Sequence, residues 1–271
     1  LFSLDGKVII VTGAAGLLGK EHAKAIASHG ASPILIDISN DAVTSLAESI
    51  NHEFDANALG FSVDITNEDA VKENVQAIKK IYGRIDGLIN NAANNPKVEN
   101  NDIKNSSRLE NFPLKIWQDD INVSLTGSFL CSKYYGYEIS KNANGGSIIN
   151  ISSDLGLIGP DQRLYANKEK LSDDQDCKPV SYSVVKTGII GLTRYLSTYW
   201  ADKNVRCNAI CPGGVENEQP NEFINSVSSR IPMGRMANKD EYQSTLIWML
   251  CDKSSYLNGA IVPVDGGRTA W

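Results

Sequence analysis

Apolar and polar positions follow two patterns that alternate along the chain. Short uncharged runs rich in β-branched residues, such as VIIV at positions 8–11, indicate buried parallel strands. Longer stretches with apolar residues three or four positions apart indicate amphipathic helices. Strands are predicted at residues 8–11, 32–38, 59–63, 87–90, 145–151, 205–210 and 260–264, and helices after the first strand and at residues 41–53, 67–82, 114–140, 180–201 and 239–251. This alternation predicts an α/β fold with a doubly wound parallel sheet and helices on both faces.

A glycine-rich turn connects the first strand to the first helix. Gly13, Gly16 and Gly19 fall within seven residues. A strand, a glycine turn and a helix together direct backbone N–H groups toward a pyrophosphate, although a tight turn without a ligand has the same spacing. Asp37 ends the second strand, where a carboxylate holds a ribose hydroxyl and repels a 2′-phosphate; capping a helix is its alternative role. No Lys or Arg lies within the turn, so we predict NAD rather than NADP.

The composition limits the class of protein. The 271 residues are 42% hydrophobic and 21% charged, which fits a single globular domain over residues 1–271. A net charge of −6 without a basic stripe argues against nucleic-acid binding. No membrane span or signal peptide is visible, so a cytoplasmic protein is expected. The five cysteines are scattered without a CxxC pair, and the three histidines lie in or beside early helices, so no metal site is expected.

Four polar residues downstream of the glycine turn are candidates for catalysis. Tyr182 and Lys186 are spaced i and i+4 and share a helix face, and an ammonium near a phenol lowers the phenol's pKa from about 10. Such a phenol is a usable general acid or base. Ser153 follows a predicted strand, and Asn122 lies in the long helical region. Taken singly, each residue is more typical of surface packing, a strand-end cap or an ordinary helix position.

Taken together, these motifs resemble the short-chain dehydrogenases/reductases, and the resemblance covers nearly the whole chain. The matching motifs are Thr12-Gly13…Gly19, Asp64, Asn90-Asn91-Ala92, Asn122, Ser153, Tyr182-xxx-Lys186, Cys211-Pro212-Gly213-Gly214 and Asp265-Gly266-Gly267. The resemblance implies a single-domain Rossmann fold with a seven-stranded sheet and an NAD-dependent oxidoreductase acting on a secondary alcohol or ketone.

The resemblance also implies a role for each candidate residue. Tyr182 exchanges a proton with the substrate oxygen, Ser153 orients that oxygen, Lys186 binds the nicotinamide ribose and depresses the tyrosine pKa, and Asn122 steadies a water in a proton relay. The expected cofactor-binding residues are Gly13, Gly16, Leu17, Leu18, Gly19, Asp37, Ile38, Asp64, Ile65, Asn91, Ala92, Ala93, Tyr182, Lys186, Pro212, Gly213 and Val215.

Three features depart from the family's usual pattern. Leu17 takes the place of the middle glycine of TGxxxGxG, and Ala93 stands where a glycine usually follows Asn-Asn-Ala. The segment between the candidate serine and tyrosine is unusually long. Ser152 is therefore a competing candidate, but Ser153 has the family's offset to Gly156 and is preferred.

Two segments interrupt the alternation of strands and helices, residues 94–113 and 159–179. Both follow strands, so we interpret them as walls of the substrate site, although surface insertions are the alternative. The runs at 90–97 and 159–165 resemble dehydrogenases from bacterial flagellin-glycan and nonulosonic-acid pathways, which implies a sugar or sugar-phosphate substrate and a place in carbohydrate metabolism. Lys97 and Arg163, with Lys168, would then contact a phosphate.

Other readings of the sequence remain open. A dinucleotide-binding sensor without turnover, or an epimerase or dehydratase with the same fold, would share most of these motifs. The helices at 114–140 and 180–201 resemble those through which the family forms dimers and tetramers, and their apolar residues include Phe129, Leu192, Leu196 and Trp200. We expect a homo-oligomer, such as a homotetramer, with a small-molecule substrate.

Overall fold

The fold is built on one parallel sheet of seven strands. A computed structural model describes residues 2–94, 106–166 and 171–271. The strands are β1 (Val8–Thr12), β2 (Ser32–Asp37), β3 (Leu59–Ser62), β4 (Gly87–Asn90), β5 (Gly146–Ile151), β6 (Val205–Pro212) and β7 (Ile261–Val264). They lie in the order β3-β2-β1-β4-β5-β6-β7 and all pair in parallel. The predicted doubly wound sheet is confirmed.

Helices cover both faces of this sheet. They are α1 (Leu17–Ser28), α2 (Asn40–Phe54), α3 (Glu68–Tyr82), α4 (Leu114–Ile121), α5 (Gly127–Cys131), α6 (Tyr137–Ile139), α7 (Val180–Tyr199), α8 (Asn221–Ser228) and α9 (Gln243–Leu250). The π-helical turns Asn122–Thr126 and Ser132–Gly136 join α4, α5 and α6 into one long helical segment. None of the helices within the described ranges is long and apolar enough to cross a membrane.

Residues of the five central strands, β1, β2, β4, β5 and β6, enter two separate apolar cores on the two faces of the sheet. In β1, Ile9 and Val11 pack on one face with residues of α1, α2 and α9. Val8 and Ile10 pack on the other face with residues of α3, the long helical segment and α7. Both faces of the central strands are therefore buried, which is why these strands are continuous apolar runs in the sequence.

The helix N-termini differ in a way that bears on function. Asn67 caps α3, because its Oδ1 accepts hydrogen bonds from the backbone N–H groups of Asp69 and Ala70 at 3.0 and 3.1 Å. Ser39 caps α2 in the same way. By contrast, the N-cap of α1 is Gly16, which provides no side-chain acceptor, and the first turn of α1 has no acidic residue. The first N–H groups of α1 thus have no capping side chain.

Some helix boundaries differ from the prediction. The predicted helix at 239–251 begins only at Gln243, because Glu241 accepts hydrogen bonds from Arg235 and from the backbone N–H of Asn238 and so forms a turn. Helix α8 was not predicted. Its apolar residues pack against Leu164 of the 159–179 segment, a contact between distant parts of the chain that local periodicity cannot reveal.

Candidate functional site

The end of β5 is tied to the middle of α7 by two hydrogen bonds. The ammonium of Lys186 donates to the carbonyl of Ile151, the last residue of β5, at 3.0 Å. The hydroxyl of Ser152 donates to the carbonyl of Lys186 at 2.7 Å. These contacts fix the turn that carries Ser153 against the helix face that carries Tyr182. The Ser152 hydroxyl therefore contacts the helix backbone, and the choice of Ser153 as the catalytic serine stays a prediction.

Ser153 and Tyr182 meet at the carboxyl edge of the sheet. The Ser153 hydroxyl donates to the carboxylate of Asp154 at 2.8 Å and accepts from the N–H of Leu155 at 3.2 Å. It is near enough to the Tyr182 phenol to act on that group's pKa. The Lys186 Nζ lies 5.8 Å from the centroid of the Tyr182 ring. The structure thus brings together a phenol, a hydroxyl and an ammonium, the three groups that the sequence assigned to catalysis.

The electrostatics of this cluster differ from the expectation for the tyrosine. Burial raises the pKa of the Tyr182 phenol, with the nearby Ser153 hydroxyl opposing this shift and the charge of Asp154 adding to it. The expected lowering by Lys186 is wrong for this structure, because its ammonium is held at the Ile151 carbonyl and burial dominates. Burial, followed by the charge of Lys178, lowers the pKa of Lys186 to about 8.

Asn122 lies at the π-helical turn that follows α4. Its carbonyl accepts the N–H of Gly127, five residues on, and its side chain is exposed. Among the described residues, the Asn122 side chain makes no hydrogen bond to Ser153, Tyr182 or Lys186. Its part in a proton relay therefore stays a prediction.

Three further side chains surround Tyr182, and sequence reasoning missed all of them. The Lys178 ammonium lies 3.9 Å from the centroid of the Tyr182 ring. Asp154 forms a buried ion pair with Arg268 at 3.2 Å. Tyr165 also lies close to Tyr182. Burial, followed by the charge of Tyr182, raises the pKa of Tyr165 to about 12. Lys178 precedes Pro179, the N-cap of α7, so helical spacing does not predict its contact with Tyr182.

The glycine turn packs closely against the loop after β4. Gly13 has φ +62°, and a Cβ there would lie 2.8 Å from the Cα of Ala92. A Cβ at Gly19 would lie 2.2 Å from the carbonyl oxygen of Gly13. The Asn91 amide donates to the carbonyls of Thr12 and Gly13, both at 3.0 Å. Asn91 therefore holds the two loops together.

Asp37 lies directly beside this turn. Its carboxylate accepts hydrogen bonds from the N–H of Ala15 at 3.1 Å and of Ile38 at 2.8 Å. Ile38 and Leu17 expose 75% and 39% of their surface, which is unusual for large apolar residues next to a buried strand end. An uncapped helix N-terminus, an adjacent carboxylate and exposed apolar side chains fit the pyrophosphate, ribose and adenine of a dinucleotide.

The other predicted cofactor residues lie along the same edge of the sheet, where they also have structural contacts. The Asp64 carboxylate accepts from the N–H and hydroxyl of Thr66. The Ile65 side chain is buried in the core, so only its backbone is available to a ligand. The remaining positions are ends or turns: Gly16 and Leu18 at the start of α1, Ala93 after β4, Pro212 at the end of β6, Gly213 against Asp265, and Val215 paired with Ala237.

The two long segments contact each other beside the site. The N–H of Cys177 donates to the Ser107 hydroxyl at 3.1 Å, and Arg108 donates to the carbonyl of Ser172 at 3.3 Å. Arg163 is 82% exposed and forms a double hydrogen bond with Asp161, which Arg230 also contacts.

Two of the predicted phosphate ligands, Lys97 and Lys168, lie outside the described residues. The third, Arg163, already has a carboxylate partner in Asp161.

Comparisons with known proteins agree with this arrangement. The family model described as short chain dehydrogenase matches residues 7–166, and the one described as enoyl-(acyl carrier protein) reductase matches residues 174–269. Similar relatives include a 3-oxoacyl-[acyl-carrier-protein] reductase FabG of Thermotoga maritima, 32% identical over 97% of this chain and 98% of its own. Another is trans-4-hydroxycyclohexanecarboxylate dehydrogenase of Sinomonas cyclohexanicum, 32% identical over 97% of this chain and 93% of its own.

A solved short-chain type dehydrogenase/reductase from Mycobacterium marinum superposes with a TM-score of 0.83. It is 25% identical to this chain and covers 100% of it, and the match includes 98% of the solved chain. The chain therefore belongs to the short-chain dehydrogenase family, whose members are oxidoreductases that act on CH–OH groups.

Proposed function

We propose that the protein is an NAD-dependent dehydrogenase that transfers a hydride between nicotinamide and a secondary alcohol or ketone of a polyhydroxylated, sugar-like substrate. The observation that carries this proposal is the cluster of Ser153, Tyr182 and Lys186 at the carboxyl edge of the sheet. In open α/β sheets, ligands bind at this edge. When bound there, the nicotinamide ring accepts or donates the hydride.

The chain's own residues supply the proton chemistry. In the oxidation direction, the carbinol oxygen lies between the Ser153 hydroxyl and the Tyr182 phenol, and its proton passes to the ionised phenol. In the reduction direction, the neutral phenol donates the proton. Because burial raises the pKa of Tyr182, the phenol is protonated at neutral pH and ready to donate. Oxidation therefore accelerates as the pH rises, because a larger fraction of the phenol is ionised.

The preference for NAD rests on Asp37. Its carboxylate lies at the turn beside the uncapped N-terminus of α1, where it accepts hydrogen bonds from a ribose diol and repels a 2′-phosphate. No Lys or Arg occurs among residues 14–18 or 38–40 to neutralise such a phosphate.

The test is to follow NADH absorbance while a panel of polyols, sugars and sugar acids is offered with NAD, and then with NADP. We expect stoichiometric NADH from at least one secondary alcohol and a clear preference for NAD. Binding of NAD without NADH from any member of the panel would favour the sensor. Conversion of a substrate without net NADH would favour the epimerase or dehydratase.

We also propose that the chain assembles into a homo-oligomer through the long helical segment and α7. Of the apolar residues expected at such an interface, Leu196 is buried in the core of the chain itself, and Leu192 and Trp200 pack against that core. Phe129, Tyr195 and Tyr199 remain exposed on these helices and support an interface. Sedimentation velocity of the whole chain would test this, and a monomer at all concentrations would contradict it.

A further inference from the structure

Lys178 is held rigidly next to the reacting centre. It precedes Pro179, the N-cap of α7, and its backbone N–H donates to the Gln162 side chain at 2.8 Å. The preceding N–H, of Cys177, donates to Ser107 at 3.1 Å. Both long segments therefore fix the backbone at this point, and the ammonium reaches the face of the Tyr182 ring at 3.9 Å from its centroid.

The Lys178 ammonium has no carboxylate at ion-pair distance among the described residues. Of the neighbouring arginines, Arg268 is paired with Asp154, and Arg163 and Arg230 share the single carboxylate of Asp161. The charge of Asp154 reaches Lys178, but its oxygens already accept from Arg268, Ser153 and the N–H of Leu155. A half-buried cation that has no carboxylate partner among the described residues is costly in a substrate crevice unless a ligand supplies the opposite charge.

We propose that Lys178 binds a carboxylate group of the substrate, so that the protein acts on a hydroxy acid or its keto form. The inference rests on the proposed function, because it assumes that the substrate oxygen lies between Ser153 and Tyr182. A substituent close to the carbinol carbon then comes within reach of an ammonium on the Tyr182 ring face.

A carboxylate fits this site better than a phosphate ester does. A phosphate ester carries about −1.5 to −2 charge at neutral pH and three acceptor oxygens, so it calls for more than one cationic donor, and Arg268 next to the site is already paired with Asp154. One lysine with three N–H donors suits a single negative charge. Lys178 thus replaces Arg163 as the expected ligand of an anionic group.

The first arm of the test compares substrates that differ only in their charged group. Glucuronate, glucuronamide and glucose 6-phosphate share one sugar ring and carry a carboxylate, an amide or a phosphate ester at C6, and 3-hydroxybutyrate and its methyl ester form a second pair. Each compound is offered with NAD to the wild type, Lys178→Met and Lys178→Arg. We expect kcat/KM to favour the acid over its neutral counterpart by about tenfold or more, since a charge-assisted hydrogen bond contributes this much. Lys178→Met should lose this preference mainly through KM, and Lys178→Arg should keep most of it.

The matched control is Lys203→Met, which removes an exposed lysine that follows α7. It should leave the preference for the acid unchanged. Equal kcat/KM for acid and neutral compound in the wild type, or an unchanged preference in Lys178→Met, would overturn the proposal while leaving the dehydrogenase activity intact. A preference for glucose 6-phosphate over glucuronate would overturn the choice of carboxylate.

The second arm needs no turnover. The rate of acetylation of Lys178 by trace acetic anhydride is measured by mass spectrometry in the NADH-loaded protein. Glucuronate or 3-hydroxybutyrate should slow this rate, and glucuronamide or the methyl ester should not. Equal labelling with acid and neutral compound would overturn the proposal. If no alcohol yields NADH, the proposed function fails, and this arm still decides whether Lys178 binds a carboxylate.

Discussion

Replacing Asp37 by asparagine is expected to weaken NAD binding and to reduce the preference for NAD over NADP. The Asp37 carboxylate accepts from the backbone N–H groups of Ala15 and Ile38. In Asp37→Asn, the amide oxygen can still accept from Ile38, but the NH₂ group cannot accept from Ala15. The substitution therefore removes the negative charge and loosens the contact between β2 and the glycine turn.

The size of the effect follows from the bonds that are lost. Hydrogen bonds from a ribose diol to a carboxylate contribute about 1.5–3 kcal/mol, which corresponds to a Kd for NAD raised about 10- to 100-fold. NADP binding should become tighter, because the repulsion between the Asp37 carboxylate and the 2′-phosphate is lost. The ratio of the Kd for NADP to the Kd for NAD should therefore change by a larger factor than the Kd for NAD does. The lost backbone contact costs about 1 kcal/mol of folding stability.

The assay is titration of NADH and NADPH by protein fluorescence, with thermal unfolding measured in parallel. Asp41→Asn is the matched control, because Asp41 lies in the first turn of α2 outside the proposed ribose site. A ratio of NADH to NADPH affinity that is the same in the wild type and Asp37→Asn would refute the assignment of Asp37. Tighter binding of NADPH by the wild type would refute the prediction of NAD itself.

Three further predictions concern the turn, the core and the serines. Gly19→Ala brings a Cβ to 2.2 Å from a backbone oxygen and should destabilise the fold by about 1–3 kcal/mol in urea unfolding, whereas Gly191→Ala, with open space around it, should stabilise α7 slightly. His22 is buried and has no hydrogen-bond partner among the described residues, and burial lowers its pKa from 6.5 to about 4. Between pH 6.5 and pH 4 the unfolded chain therefore binds more protons than the folded chain, and the free energy of unfolding falls by up to about 3 kcal/mol as the pH drops. His22→Leu should remove this contribution to the pH dependence of the free energy of unfolding. Ser153→Ala should lower kcat about 100-fold, and Ser152→Ala should instead lower the melting temperature more than kcat.

Opposite results would contradict each of these in turn. A Gly19→Ala variant as stable as the wild type would mean that the glycine turn can open to accommodate the new methyl group. A Gly191→Ala variant as unstable as Gly19→Ala would mean that the chain tolerates added methyl groups poorly at both positions. A pH slope that is unchanged in His22→Leu would assign acid sensitivity to other groups. Equal losses of kcat in the two serine variants would leave the choice of Ser153 without support.

Local sequence patterns were sufficient to predict the sheet. Strands such as β1 bury both faces, so each residue in the run must be apolar, and the pattern is visible without any knowledge of neighbours. The cap at Asn67 is a local contact and was also predictable. Helix α8 and the π-helical turns depend on distant packing and on i to i+5 bonding, which a period of 3.6 residues does not reveal.

The site was predictable where neighbours in sequence are neighbours in space. The spacing of Tyr182 and Lys186 correctly predicts that they share a helix face, but not that burial raises the phenol's pKa or that the ammonium binds the Ile151 carbonyl. Lys178 reaches the tyrosine only because residues 162 and 107 anchor the loop before α7. Such contacts join parts of the chain far apart in sequence, so no local motif indicates them.

The most direct measurement compares NADH formation by the wild type and Tyr182→Phe with the best secondary alcohol of the panel. The phenylalanine keeps the ring that Lys178 covers and removes only the hydroxyl. The account predicts a kcat lower by about 10²- to 10⁴-fold with an NADH affinity close to that of the wild type. A Tyr182→Phe variant that oxidises the alcohol at the wild-type rate would contradict it.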